Sequence, residues 1–108
     1  MIKARAKELI AALQSGKYTQ TKGRLRDGDA FCCLGVACDI SGIGKWNGNS
    51  YSSEEDVLTN EVRDYFGFHN SNGGVRDYTT ESCLSELNDQ GHSFTEIADF
   101  IEANWERL

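Results

Sequence analysis

The chain of 108 residues has no proline, one methionine and two histidines. Without proline, and without a repeat or a low-complexity tract, nothing in it reads as an interdomain linker. No stretch approaches the roughly 18 consecutive apolar residues that a membrane span needs. Lys3, Arg5, Lys7 and Glu8 stand where an export signal would need an apolar run. A cytoplasmic protein without a membrane partner is therefore expected, and in that reducing setting Cys32, Cys33, Cys38 and Cys83 are expected as thiols, not as two disulfides. Phosphate-loop signatures are missing as well, because GIGKW and GGVRD lack both the glycine spacing and the following Lys-Ser/Thr. Cys32-Cys33 followed by Cys38 does not have the paired spacing of a zinc site, so neither a metal nor a cofactor is expected.

What is present fits one small globular domain, residues 1–108. At this length a single core can be buried, and the 39% apolar and 26% charged residues separate the chain from the disordered class. The net charge of −6 is unevenly spread. Residues 1–28 hold seven Lys/Arg against Glu8 and Asp27, a balance of +5, whereas residues 80–108 hold seven Asp/Glu against Arg107, a balance of −6. An acidic total disfavours general nucleic-acid binding, which draws its affinity from phosphate neutralisation. The lopsidedness suits an anion at one end, or a homo-oligomer in which two copies face each other with opposite charge.

Hydrophobic periodicity supplies the elements. Ile2, Ala6, Leu9, Ile10 and Leu13 predict a helix over about 2–15, with Gly16 as its left-handed stop. From Tyr18 to Phe31 the pattern alternates, and Asp27-Gly28 predicts a β-ribbon turning at 27–28. FCCLGVACDIS (31–41) predicts a central helix buried on most sides, with Gly35 marking a close approach of another chain segment or a ring. Residues 41–53 have loop composition. Val57 to Phe66 predicts a third helix capped by Thr59 and stopped by Gly67, and Asn72-Gly73-Gly74 a second turn or hairpin. Thr80 is expected to cap a fourth helix holding Cys83, Leu84 and Leu87 inward, and Ser93-Phe94-Thr95-Glu96 is a capping box that opens the last helix. The expected fold is α+β and mainly helical, with four to five helices and one or two short β-hairpins.

Candidate functional residues are few. On one strand Lys22, Arg24 and Arg26 would project from a common face, and with Arg76 they could meet phosphate oxygens while Trp46 or Tyr51 stacks on a ring. A phosphorylated small-molecule ligand is the partner this constellation suits. The competing readings are a ribbon that faces the acidic C-terminal helix, and aromatic rings that only pin their loop to the core. The acidic C-terminal face itself could dock a basic host protein. A remote alternative is a small cysteine hydrolase: its nucleophile at positions 32 or 33 would need His69 or His92 beside it, and neither histidine has a spacing that such chemistry dictates. Glu54, Glu55 and Asp56 form a run of the kind that stabilises a helix start.

The strings GKYTQTKGRLR, FCCLGVACDISG and LSELNDQGHSFTEIADFIE together resemble a group of short proteins of tailed bacteriophages and prophages over roughly residues 9–102. In such relatives a proline commonly follows the leucine at position 58, where this chain has Thr59. The resemblance implies a phage accessory protein acting inside the host cell. One function for that class is counter-defence, in which a non-enzymatic binder sequesters a nucleotide immune signal. The resemblance carries over no catalytic or binding residue.

Overall fold

A computed structural model describes residues 1–75 and 83–108. Five α-helices and two small sheets are described: α1 (Lys3–Gln14), β1 (Thr19–Gln20), β2 (Arg26–Asp27), β3 (Ala30–Phe31), α2 (Cys33–Ser41), β4 (Trp46–Asn47), β5 (Ser50–Tyr51), α3 (Asn60–Phe66), α4 (Leu84–Asp89) and α5 (Phe94–Asn104). A single 3-10 turn, Trp105–Arg107, follows α5. The fold is α+β and mainly helical, as the periodicity predicts.

Helix α2 is the axis of the molecule. Cys33 through Cys38 are all buried, so no stripe of the helix faces solvent there, and α1, α3, α4 and β3 pack around it. Such all-round burial needs small residues where neighbours come close. At Gly35 a Cβ would lie 1.9 Å from the Leu25 carbonyl oxygen, a backbone atom that cannot step aside. Helix α1 buries Ala6, Leu9 and Leu13 on one stripe, packed chiefly against α5, and Gly16 follows with φ +74. The predicted capping box of α5 is complete: Ser93 Oγ accepts from the Glu96 amide at 3.1 Å, and the Glu96 carboxylate accepts from the Ser93 amide at 2.9 Å. Helix α3 has the expected Thr59 cap, accepting from the Val62 amide at 3.2 Å, and the expected left-handed Gly67 at its end.

Three expectations are corrected. The strand foreseen through Lys22–Arg26 does not form. Residues 22–25 bend, and only Arg26–Asp27 pair with Ala30–Phe31, around a turn at Gly28-Asp29 one residue later than expected. Tertiary hydrogen bonds take this backbone out of the ladder: the Gly23 amide donates to Asp89 Oδ1 at 2.9 Å and the Leu25 amide to the Glu55 carbonyl at 2.7 Å. The partner on the other edge of β3 is β1, paired in parallel, giving the order β1-β3-β2. Second, residues 41–53 are not wholly a loop, since Trp46–Asn47 and Ser50–Tyr51 form a hairpin with Gly48 at φ +62. Third, Cys83 is extended and lies outside α4, which begins at Leu84 with no side-chain capping bond from Cys83. The expected cap Thr80 lies outside the described residues. The turn foreseen near Asn72-Gly73-Gly74 is organised by Asn70, whose Oδ1 accepts from the Asn72 and Gly74 amides at 3.0 and 2.8 Å.

One buried polar side chain ties these parts together. Asn88, 0% exposed, accepts at Oδ1 from the Cys33 amide (3.1 Å) and from Gln20 Nε2 (2.8 Å), and donates from Nδ2 to the Thr21 carbonyl (2.7 Å). Gln20 Nε2 also donates to the His92 carbonyl at 2.8 Å, so one cluster joins β1, the start of α2 and the α4–α5 connection. Removing one partner from a buried pair leaves the other with its full desolvation cost, about 1–3 kcal/mol per group. Asn88→Ala is accordingly expected to lower unfolding free energy by about 3 kcal/mol or more in urea denaturation. Gly35→Ala should destabilise at least as much, because the clash is with backbone. A loss below about 1 kcal/mol in either variant would contradict this packing.

Candidate functional site

The predicted ligand residues disperse into different surroundings. Arg26 lies over the Phe31 ring at 4.9 Å and the Trp46 ring at 5.2 Å, and its Nε donates to the Gly28 carbonyl at 2.7 Å. These rings belong to an edge-to-face ladder that runs Tyr18–Phe31–Trp46–Tyr51, with centroid separations of 5.2, 5.6 and 4.9 Å. Asp39 closes the ladder from α2, accepting from the Tyr18 hydroxyl at 2.6 Å and from Trp46 Nε1 at 3.0 Å. The ladder and the Gly28 amide bond to Asn49 Oδ1 (3.0 Å) hold the two hairpins side by side.

Of the six residues foreseen, the structure therefore brings Arg26 and Trp46 together. Tyr51 adjoins Trp46 but is 2% exposed, and its hydroxyl accepts from the Gly44 amide at 2.6 Å; it pins the loop to the core and offers no free ring face, which corrects its role as a stacking residue. Lys22 is directed to Gly91, at the α4–α5 connection, with Nζ 3.4 Å from where a Cβ would stand there. Arg24 lines a separate cleft of about 210 Å³ with Asp56 and Asp89. The common cationic face of Lys22, Arg24 and Arg26 is thus not formed, because the bend at 22–25 replaces the strand that would have aligned them. Arg76 lies outside the described residues.

Three of the four cysteines, Cys32, Cys33 and Cys38, are free thiols enclosed in the core. Burial pushes the Cys32 thiol up to about 11, although the Gly35 amide donates to its sulfur at 3.4 Å. Burial also raises Cys33, fully enclosed with its thiol donating to the Leu84 carbonyl at 3.3 Å, and lifts Cys38 to about 12. Cys32 therefore serves as the N-cap of α2. Among the described residues no group of three or more His, Cys, Asp or Glu could hold a metal ion. No described helix is long and apolar enough to cross a membrane.

A second surface was only partly legible. Between α4 and α5 a groove of about 320 Å³ has Leu87, Ile97 and Phe100 in its floor and His92, Glu96 and Asp99 at its rim. His92 Nδ1 is 3.8 Å from Glu96 Oε2, and the Ser93 capping bonds hold the Glu96 carboxyl below its ordinary range. The pairs Arg5–Glu8 and Arg63–Asp64 lie on α1 and α3, away from this groove. The segmental charge pointed to this face, but the groove depends on how α4 and α5 splay, which no spacing specifies.

A family model described as Domain of unknown function (DUF8296) matches residues 2–105, from the entry to α1 through the end of α5. The chain belongs to this family. No curated protein and no solved structure matches it. In this DUF8296 domain the distinctive strings of the sequence have structural work: Gly35 of CCLGVACD receives the Leu25 carbonyl, Asn88 and Asp89 of LND hold the 20–23 segment, and Ser93 and Glu96 cap α5.

Tyr18 provides a titration test of the ladder. Burial and the hydrogen bond to Asp39 raise its phenol from 10.0 to about 12. The folded state thus favours the protonated phenol, so the stability this contributes is intact below pH 10 and is lost as pH rises through about 12. Phenolate absorbance should show a late-titrating component from Tyr18, and Asp39→Asn should move that component back toward 10, because the substitution weakens the hydrogen-bond acceptor and removes the negative charge. Thiol-specific reagents should label Cys32, Cys33 and Cys38 in the native protein no faster than it opens.

Proposed function

We propose that this protein is a non-enzymatic interaction module whose acidic α4–α5 face docks a basic segment of a partner protein. The observation that carries the reading is the groove between α4 and α5, which has an apolar floor of Leu87, Ile97 and Phe100 and a rim that carries the exposed carboxylates Glu96 and Asp99. A local excess of negative charge speeds encounter with a basic segment, and an apolar floor provides the burial that charge alone lacks. The occupant that fits is a Lys/Arg-rich segment carrying one apolar anchor. The likeness to short phage proteins supports reading that partner as a host protein inhibited in the cytoplasm. The raised thiols support a role without covalent chemistry.

Sequestration of a phosphorylated small molecule, such as a nucleotide immune signal, is the second reading. Its specific support is the half-buried Arg26–Trp46 pair, a guanidinium beside an indole. It has lost the alignment of Lys22 and Arg24 with that pair, and the Tyr51 ring.

Binding to synthetic peptides separates the two. A basic peptide with a single Leu or Phe anchor should bind by fluorescence anisotropy and weaken as salt rises, and Asp99→Lys or Glu96→Lys should each cost about tenfold in affinity. No binding, or binding that ignores both substitutions, would refute the docking reading. A rise in melting temperature with cyclic or ADP-ribose-type nucleotides, abolished by Arg26→Ala, would establish the second reading; at 100-fold its dissociation constant a ligand adds about 2.7 kcal/mol.

A further inference from the structure

The cleft that holds Arg24 lies apart from the α4–α5 groove and has a different chemistry. Its walls are four chain segments, each fixed by backbone hydrogen bonds. The Gly23 amide is held by Asp89 Oδ1 at 2.9 Å and the Leu25 amide by the Glu55 carbonyl at 2.7 Å. Opposite, the Leu58 amide donates to the Ser71 carbonyl at 3.1 Å, and the Ser85 amide to the Asn72 carbonyl at 3.3 Å. A space of about 210 Å³ with walls tied in this way is present before any ligand arrives, so little ordering cost attends binding.

Opposite charges line this space without combining. Arg24 makes no ion pair among the described residues, although Asp56 and Asp89 line the same cleft. The bond from the Gly23 amide engages one Asp89 oxygen and helps to hold that carboxylate in place. The floor is formed partly by Cys32 and Val57, and Asn72 and Ser85 supply an amide and a hydroxyl. Guanidinium and carboxylates kept apart in a preformed space match a ligand that carries both charges. Among the described residues the lining groups sum to one negative charge, one guanidinium against two carboxylates, a balance that disfavours a phosphate dianion and accepts a neutral zwitterion. Size agrees, since the volume is below the roughly 300–1,000 Å³ of sites for drug-sized ligands.

We infer that this cleft binds a small α-amino-acid zwitterion, its carboxylate on the Arg24 guanidinium, its ammonium on Asp56 and Asp89, and a short apolar side chain over Val57 and Cys32. An Arg–carboxylate fork fixes orientation, and the two aspartates reject the same acid without its amine.

The test is a titration of the intact protein, followed by amide chemical shifts, with L-alanine and L-valine, and in parallel with propionate and ethylamine, which carry one charge each. The zwitterions should give saturable shifts at the Gly23, Asn72 and Ser85 amides, and the single-charge compounds should not. Arg24→Gln and Asp56→Asn, both at exposed positions, should each weaken binding at least about tenfold while leaving the melting temperature unchanged. Absence of saturation at millimolar zwitterion, equal shifts with propionate, or affinity indifferent to both substitutions would overturn the assignment. None of these results bears on the α4–α5 groove, whose residues are separate.

Discussion

The structure depends on a single carboxamide. Asn88 stands at the end of a six-residue helix too short to persist alone, and it reaches the first amide of α2, the side chain of Gln20 and the backbone of Thr21 at once. A buried amide must satisfy both its donor and its acceptor, and an apolar residue of similar size would leave the Cys33 amide and the Thr21 carbonyl without this partner. That requirement fixes three segments far apart in sequence relative to one another. It also fixes what lies beside them: Asp89, the next residue, holds Gly23 and thereby positions Arg24, while Leu87, the preceding one, contributes to the groove on the other side.

The helical part of the fold was legible because its signals are local. Thr59 with Gly67, and Ser93 with Glu96, specify helix ends through atoms within four residues of one another, and both sets form as read. Gly35 was legible as a point of close approach, although the approaching group, the Leu25 carbonyl, could not be named. The strands were less legible. Lys22 to Arg26 alternates well, yet its amides are claimed by Asp89 and Glu55, and no window of neighbouring residues contains that competition. Asn47-Gly48 was a hairpin signal in plain view, obscured by the polar composition around it.

The candidate sites show the same division between local and tertiary information. Charge counts placed an acidic surface at the C-terminal end, since charge survives any folding. Which charges face one another is tertiary information. Arg24, grouped by spacing with Lys22 and Arg26, is grouped by the fold with Asp56 and Asp89. Tyr51 shows how an aromatic residue in a polar segment can serve as a core residue: its ring is enclosed, and its hydroxyl accepts the Gly44 amide.

The enclosure of α2 has a kinetic corollary. Residues 33–38 have no outward stripe from which the helix could fray into solvent, so their amide protons can trade with deuterium only when the surrounding helices separate. The two-residue strands at 46–47 and 50–51 open without such a disturbance. Isotope exchange would therefore be graded from the rim inward, with the cysteine-bearing helix retaining its protons longest.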